Sequence, residues 1–290
     1  MNRRDLLKCA PLALAVGAVP TAGAAARKAR FRTAICAYSF RKELKAKSMS
    51  YDDLIQMAVD QNIDGLDLTV YWFPNTSDEF LMPLRNLAYR NGVEIYSLSV
   101  RTEMTRPEKE LRDKEVEGVK KWVDVANKLG AGHIRVFGGH VPKGHSDDEA
   151  VSWVVDVLRR SCGYAGSKGV ILGLENHGGI TLRAEHVIQA VKEVNSPWVG
   201  INLDTGNFRE RPYEQIEMCL PYAVNSQFKT EMRLDGGINE PSDWDRIVKL
   251  FAAAGYRGYL AIEYEGAEPA PKAFPGYMRR LQELARKYSA

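Results

Sequence analysis

The sequence predicts a single-domain α/β fold, a closed (β/α)8 barrel, on three observations. From Phe31 onward the chain repeats one unit: a short apolar run, a polar or glycine-rich loop, then an amphipathic helical stretch. Eight such units begin roughly 25–40 residues apart, the number and spacing a closed eight-stranded parallel barrel needs. Three of the apolar runs also end on an acid, Glu175, Asp204 and Glu263. An apolar parallel strand has no reason of its own to finish on a carboxylate, and in a barrel all three ends meet at one mouth.

The segment before the first unit reads as a signal, residues 1–24, with the barrel domain over 25–290. Arg3-Arg4 precedes a weakly apolar stretch from Ala10 to Val19, and Ala22-Gly23-Ala24 has the small-x-small pattern of a cleavage site. This resembles a twin-arginine export signal, which implies a periplasmic or secreted protein exported already folded. The apolar run is too short and too rich in Ala and Gly to serve as a stable membrane anchor. Formal charge is +3. Arg3, Arg4 and Lys8 against Asp5 carry about two of those charges, so the barrel is nearly neutral and offers no nucleic-acid footprint. Beyond Cys9 three cysteines remain, Cys36, Cys162 and Cys219, without motif spacing or a readable disulfide framework.

The strands are predicted at Thr33–Tyr38, Gly65–Val70, Glu94–Ser99, His133–Phe137, Val170–Glu175, Gly200–Asp204, Ala223–Phe228 and Tyr259–Glu263. Between them lie helical faces such as Leu54, Ile55, Ala58 and Val59, or Val151, Val154, Val155 and Leu158. Glycines at 130, 169 and 255 suit the left-handed caps that stop helices before the next strand. The longest irregular pieces, 138–147 and 266–276, follow strands four and eight and so fall on the catalytic face of a barrel. A doubly wound sheet fits less well, because no glycine-rich dinucleotide fingerprint follows the first strand.

Three converging acids would repel one another unless a cation lay between them. A divalent metal is the economical answer, with Mn²⁺ or Mg²⁺ suited to oxygen ligands and Co²⁺ or Zn²⁺ as alternatives. Strand seven lies between the second and third acids, and alternation puts Asn225, Gln227 and Lys229 on one of its faces. Gln227 would then offer a fourth oxygen, giving a Glu175, Asp204, Gln227 and Glu263 ligand set.

At Gly173-Leu174-Glu175-Asn176-His177, Asn202-Leu203-Asp204-Thr205-Gly206-Asn207, Gln227-Phe228-Lys229 and Ala261-Ile262-Glu263-Tyr264 the chain resembles the xylose-isomerase-like TIM barrel superfamily. The likeness is to its sugar phosphate isomerase/epimerase and ketose 3-epimerase branches. It implies one divalent ion held by Glu, Asp, His and Glu at these strand ends, with Gln227 where the usual member has His. It also implies that Glu175 and Glu263 carry protons to and from the carbon beside a sugar carbonyl. Arg233 falls at a substrate-binding arginine of that branch, and Asn207 replaces a histidine that holds substrate oxygen.

The other candidates follow from position. His177 shares the parity of Glu175 and can face the same mouth, as a hydrogen-bonding group or a general acid. Lys229 is placed to stabilise an oxyanion or to pair with a ligand carboxylate. Arg135 and His140 flank the end of strand four, and Trp72 in Tyr71-Trp72-Phe73 could stack on a sugar ring. His133, His145 and His186 read as solvent or helix-end residues. Asp235-Gly236-Gly237 could cradle phosphate, yet an exported protein meets non-phosphorylated sugars or glycosides rather than sugar phosphates. The expected partner is thus a small sugar or keto-glycoside, with a homo-oligomer compatible and no nucleic acid involved. The expected reaction is isomerisation or epimerisation through a metal-stabilised enediolate. The alternatives are a lyase or hydratase acting on 3-keto-glycosides by the same enolisation, and a non-catalytic sugar-binding barrel. A DNA-repair phosphodiesterase would need a histidine-rich metal cluster, and none of the five histidines lies on strand seven or eight.

Overall fold

The computed structural model describes residues 28–289; the expected signal, residues 1–24, lies outside them. Eight parallel strands close on themselves as predicted: β1 (Arg30–Cys36), β2 (Gly65–Thr69), β3 (Glu94–Ser99), β4 (His133–Phe137), β5 (Ile171–Glu175), β6 (Val199–Asp204), β7 (Ala223–Lys229) and β10 (Arg257–Glu263). Each pairs with its neighbour in sequence and β10 pairs with β1, which leaves no free edge. The helices between them, α1 (Arg41–Ala46), α2 (Tyr51–Asp60), α3 (Asp78–Arg90), α4 (Lys109–Leu129), α5 (Asp147–Ser167), α6 (Ala184–Val194), α7 (Pro212–Cys219), α8 (Trp244–Ala253) and α9 (Ala270–Tyr288), form the outer layer.

Local chemistry sets the helix ends. Ser50 with Asp53 and Ser146 with Glu149 each close a reciprocal capping box at the start of α2 and α5. Gly130 ends α4 at φ +81°, a left-handed conformation that carries no steric penalty without a Cβ. Of the face predicted for α2, Leu54, Ile55 and Ala58 are buried, whereas Val59 is exposed. The α5 face at Val151, Val154, Val155 and Leu158 is buried throughout. None of the described helices is long and apolar enough to cross a membrane.

Most strand ends fall within a residue or two of the expectation, and three stretches differ more. The first strand stops at Cys36, and Ala37–Phe40 turns as a short 3-10 helix. The stretch 266–276 is not irregular to its end, because α9 already begins at Ala270 behind Pro269. After β7 the chain forms an antiparallel hairpin, β8 (Glu231–Arg233) with β9 (Asn239–Pro241), with Gly236 and Gly237 at its tip in positive φ.

The inside of the barrel is a packed column rather than a pore. At its floor Tyr96 and Tyr259 stack with centroids 3.7 Å apart over Ala34 and Ala261. Gly173 has no side chain because the ring of His133 lies there: a Cβ would sit 2.2 Å from its Nε2. His133 is therefore buried inside the barrel, not a solvent or helix-end residue, and its Nδ1 shares a 2.8 Å hydrogen bond with Ser97. Burial, with the charge of Arg135, pushes this imidazole down to about 3, so it is neutral. The interior turns polar toward the C-terminal ends of the strands, and that gradient builds the site.

Candidate active site

Above the floor runs a chain of buried amides. Asn225 Nδ2 donates to Asn202 Oδ1 (2.8 Å), Asn202 Nδ2 to Gln227 Oε1 (2.9 Å), and Gln227 Nε2 to Asp67 Oδ2 (3.0 Å). Ser99 Oγ donates to the other oxygen of Asp67 at 2.9 Å. Every member is buried, so each polar group depends on the next for its hydrogen bonds.

The acids lie one layer higher. Glu175, Asp204 and Glu263, the last residues of β5, β6 and β10, converge as the strand pattern predicts, and all three are buried. Two protein cations serve the three acids. Arg135 Nε lies 2.9 Å from Glu175 Oε2, while its Nη1 donates to Tyr71 Oη (3.2 Å) and to the Val100 carbonyl (3.1 Å). Its guanidinium also stacks on Phe137 at 4.1 Å. Lys229 Nζ touches Glu263 Oε1 and Glu265 Oε2, both at 2.5 Å, and lies 3.6 Å from Asp204 Oδ2. Asp204 Oδ1 accepts from the Gly206 amide at 2.8 Å.

These surroundings drive the carboxyls apart in acidity. Burial pushes Glu175 well above the usual carboxylate range, helped by Asp204 and Glu263 and opposed by Arg135. Burial likewise lifts Asp204 to about 7 against the pull of Lys229. Burial also works against ionised Glu263, but the charge and hydrogen bond of Lys229 hold it below its ordinary value. Lys229 is raised well above a free lysine: the acids Glu263, Asp204 and Glu265 overcome the cost of burying it.

Glu175 and Glu263 open into a cavity of about 700 Å³ at the C-terminal face of the barrel. Glu175, Glu263, Lys229, Arg135, His177, His140, Asn207 and Arg233 all line it, as the sequence led one to expect. His177 lies at the mouth with its ring centroid 4.0 Å from that of Phe137. Desolvation, then the charge of Arg135, lowers its imidazole to about 4, so it meets a substrate as a neutral group. Asn207 Nδ2 lies 3.4 Å from Glu175 Oε1. Arg233 Nη2 is 3.0 Å from Glu265 Oε2, and His140 stands exposed on the rim.

Three expectations need correction. Trp72 does not line the cavity; Tyr38 and Tyr71 do, and Trp72 stacks behind Tyr38 with centroids 6.1 Å apart. The Gly236-Gly237 turn is likewise outside the cavity lining, at the hairpin tip. Gln227 does not reach the mouth either. It is absent from the cavity lining, its carbonyl oxygen accepts from Asn202 and its amide donates to Asp67. Among the described residues, no cluster of three or more His, Cys, Asp or Glu is arranged to hold a metal ion. The donor set expected for a divalent ion therefore does not fit this site as it stands.

Glu265, Tyr38 and Arg101 also line the cavity and escaped the sequence reading. Glu265 had a signal: it shares the parity of Glu263, just as His177 shares that of Glu175. Tyr38 and Arg101 lie on turns past strand ends, where no periodicity points to a direction.

The family model for the xylose isomerase-like TIM barrel matches residues 53–284, most of the described chain. The chain belongs to that family. No curated protein matches this family member in sequence. Solved barrels do so in fold. D-psicose 3-epimerase from Clostridium cellulolyticum H10, crystallised with D-tagatose, superposes with a TM-score of 0.72 at 16% identity, covering 89% of this chain and 99% of that one. The IolI protein with a bound zinc atom gives 0.73 at 17% identity, covering 89% and 99%. The 3-keto-D-glucoside 4-epimerase YcjR from E. coli gives 0.69 at 13% identity, covering 88% and 100%.

Proposed function

We propose that this xylose isomerase-like barrel abstracts and returns a proton beside the carbonyl of a non-phosphorylated sugar or keto-glycoside. The observation that carries the reading is the pair Glu175 and Glu263, two buried carboxyls opening on one cavity with opposite leanings in acidity. Environments that push two acids apart make one an acceptor and the other a donor at the same pH. They stand three strands apart around the barrel, so they approach a substrate from different sides. Glu263, held ionised, takes the proton from the carbon; the C–H electron pair moves toward the carbonyl oxygen. Glu175, held protonated, gives a proton back at the other face, and the product is an epimer with no net oxidation or reduction.

The cavity supports a sugar-sized guest. Tyr38 and Tyr71 give one wall an aromatic surface for the apolar face of a pyranose. Neutral His177 and Asn207 supply hydrogen bonds to hydroxyl groups. The two neighbours named as epimerases, of D-psicose and of a 3-keto-D-glucoside, point to the same reaction class. The paired arginines Arg3-Arg4 support export, which would place the substrate outside the cytoplasm.

Deuterium exchange from D₂O into free ketoses and 3-keto-glucosides, followed by NMR, tests this reading. The wild type should exchange one carbon-bound proton, and Glu175→Gln and Glu263→Gln should each lower the rate by about 10²–10⁴-fold. Full turnover by Glu263→Gln would refute its role as the base. An eliminated aglycone in the same spectra, instead of an epimer, would identify a lyase.

A further inference from the structure

We propose that the ammonium of Lys229 occupies, as a permanent part of the chain, the position between carboxylates where the sequence resemblance implies a divalent ion, and that this site binds no divalent metal. Three observations carry the inference. Lys229 Nζ already bridges the carboxylates at the mouth, 2.5 Å from Glu263, 2.5 Å from Glu265 and 3.6 Å from Asp204. The remaining acid, Glu175, has the fixed cation of Arg135 beside it at 2.9 Å. A divalent ion drawn to these oxygens would meet two fixed cations that cannot diffuse away.

The third observation is the orientation of Gln227. A fourth ligand would need its carbonyl oxygen, which accepts from Asn202 while its amide donates to Asp67. Turning the amide over would set its oxygen against the Asp67 carboxylate and its NH₂ against that of Asn202. Asn202 cannot turn in compensation without losing Asn225, whose amide already donates to its oxygen. The hydrogen-bond chain thus has one direction, anchored by Asp67 as acceptor, and it engages the Gln227 oxygen with Asn202 rather than at the cavity.

The placement also gives Lys229 a task. It lines the cavity, whereas Asp204 and Gln227 do not. Two of its three N–H groups meet Glu263 and Glu265, and Asp204 at 3.6 Å is too far for a hydrogen bond. One donor is thus left for a substrate oxygen beside the carboxylate that removes the carbon-bound proton. An enolate oxygen forming there gains a positive partner that needs no reorganisation. This catalytic half rests on the proposed enolisation; the absence of metal binding does not.

Two measurements on the full-length protein decide it. The first is metal content by mass spectrometry after incubation with Mn²⁺ and gel filtration, with melting curves in EDTA and in Mn²⁺. Well under one ion per chain and coincident curves are expected. About one ion per chain, with a higher melting temperature in Mn²⁺, would overturn the inference. The second is the deuterium exchange assay in EDTA. Undiminished exchange is expected, and a fall of about 10²–10³-fold in Lys229→Met that Mn²⁺ does not reverse. Exchange lost in EDTA and restored by Mn²⁺, or retained by Lys229→Met, would overturn it. Exchange absent under every condition would instead refute the proposed enolisation, and the metal measurement would still decide the first half.

Discussion

Replacing Arg135 with Met isolates the part of the site that is structural in energy and catalytic in position. Arg135 is 3% exposed and its Nε lies 2.9 Å from Glu175, with hydrogen bonds from Nη1 to Tyr71 and the Val100 carbonyl. Methionine keeps the stacking length against Phe137 but leaves the Val100 carbonyl without the Arg135 donor and Glu175 with only the long contacts of Asn202 (3.5 Å) and Asn207 (3.4 Å). A buried polar group that loses its hydrogen-bond partner costs about 1–3 kcal/mol, and two are affected here, so about 2–6 kcal/mol is expected. For a chain of this size about 2–4 °C of melting temperature is lost per kcal/mol, so a drop of about 4–24 °C is expected. The decisive comparison is the double variant Arg135→Met with Glu175→Leu, measured by urea denaturation beside both single changes. Removing the stranded carboxyl should recover about 1–3 kcal/mol of the loss. If Arg135→Met melts within a degree or two of wild type, or the double variant is no more stable than it, then the pair is not the energetic unit its geometry describes.

Three further outcomes follow from the same arrangement. Asp204 has its carboxyl raised to about 7 in the folded protein, so folding favours its protonated form. Its contribution to stability is complete below its unfolded value and lost as pH rises through about 7; Asp204→Asn should flatten the fall in urea stability across that window, and an unchanged slope would contradict it. Gly173→Ala would drive a Cβ to 2.2 Å from His133 Nε2 in a filled interior, at an expected cost of about 1–3 kcal/mol. The cost should shrink in a His133→Ala background, and equal costs in both backgrounds would place the crowding elsewhere. Changing Arg3 and Arg4 together to Lys should hold the protein in the cytoplasm on cell fractionation, whereas undiminished export would argue against a twin-arginine signal.

Much of this molecule was legible along the chain. Strand positions, the helix stop at Gly130, and the convergence of Glu175, Asp204 and Glu263 all follow from local rules: period-two and period-3.6 patterning, capping chemistry, and an acid at the end of an apolar run. Parity also told which residues face inward, since alternation along a strand is a property of the covalent chain.

Height within the barrel and the identity of each partner are not properties of any one strand. Gln227 and Lys229 share a face, and nothing local says which of them reaches the mouth. The stagger of β7 against β6 and β10 decides it, pairing Gln227 with Asp204 and Lys229 with Glu263 along the sheet. That one pleat of difference moves the amide into the interior and sets an ammonium among the acids. His133 shows the same limit: its neighbours in sequence do not reveal that Gly173, forty residues on, leaves a space for its ring. Trp72 and Tyr38 show it for turns, where no repeat fixes direction and packing alone chose which ring meets the cavity. By itself the sequence determined that acids would gather at one end of a closed barrel. Only the closed barrel, by fixing register and contact across strands remote in sequence, decided which cations would hold them there.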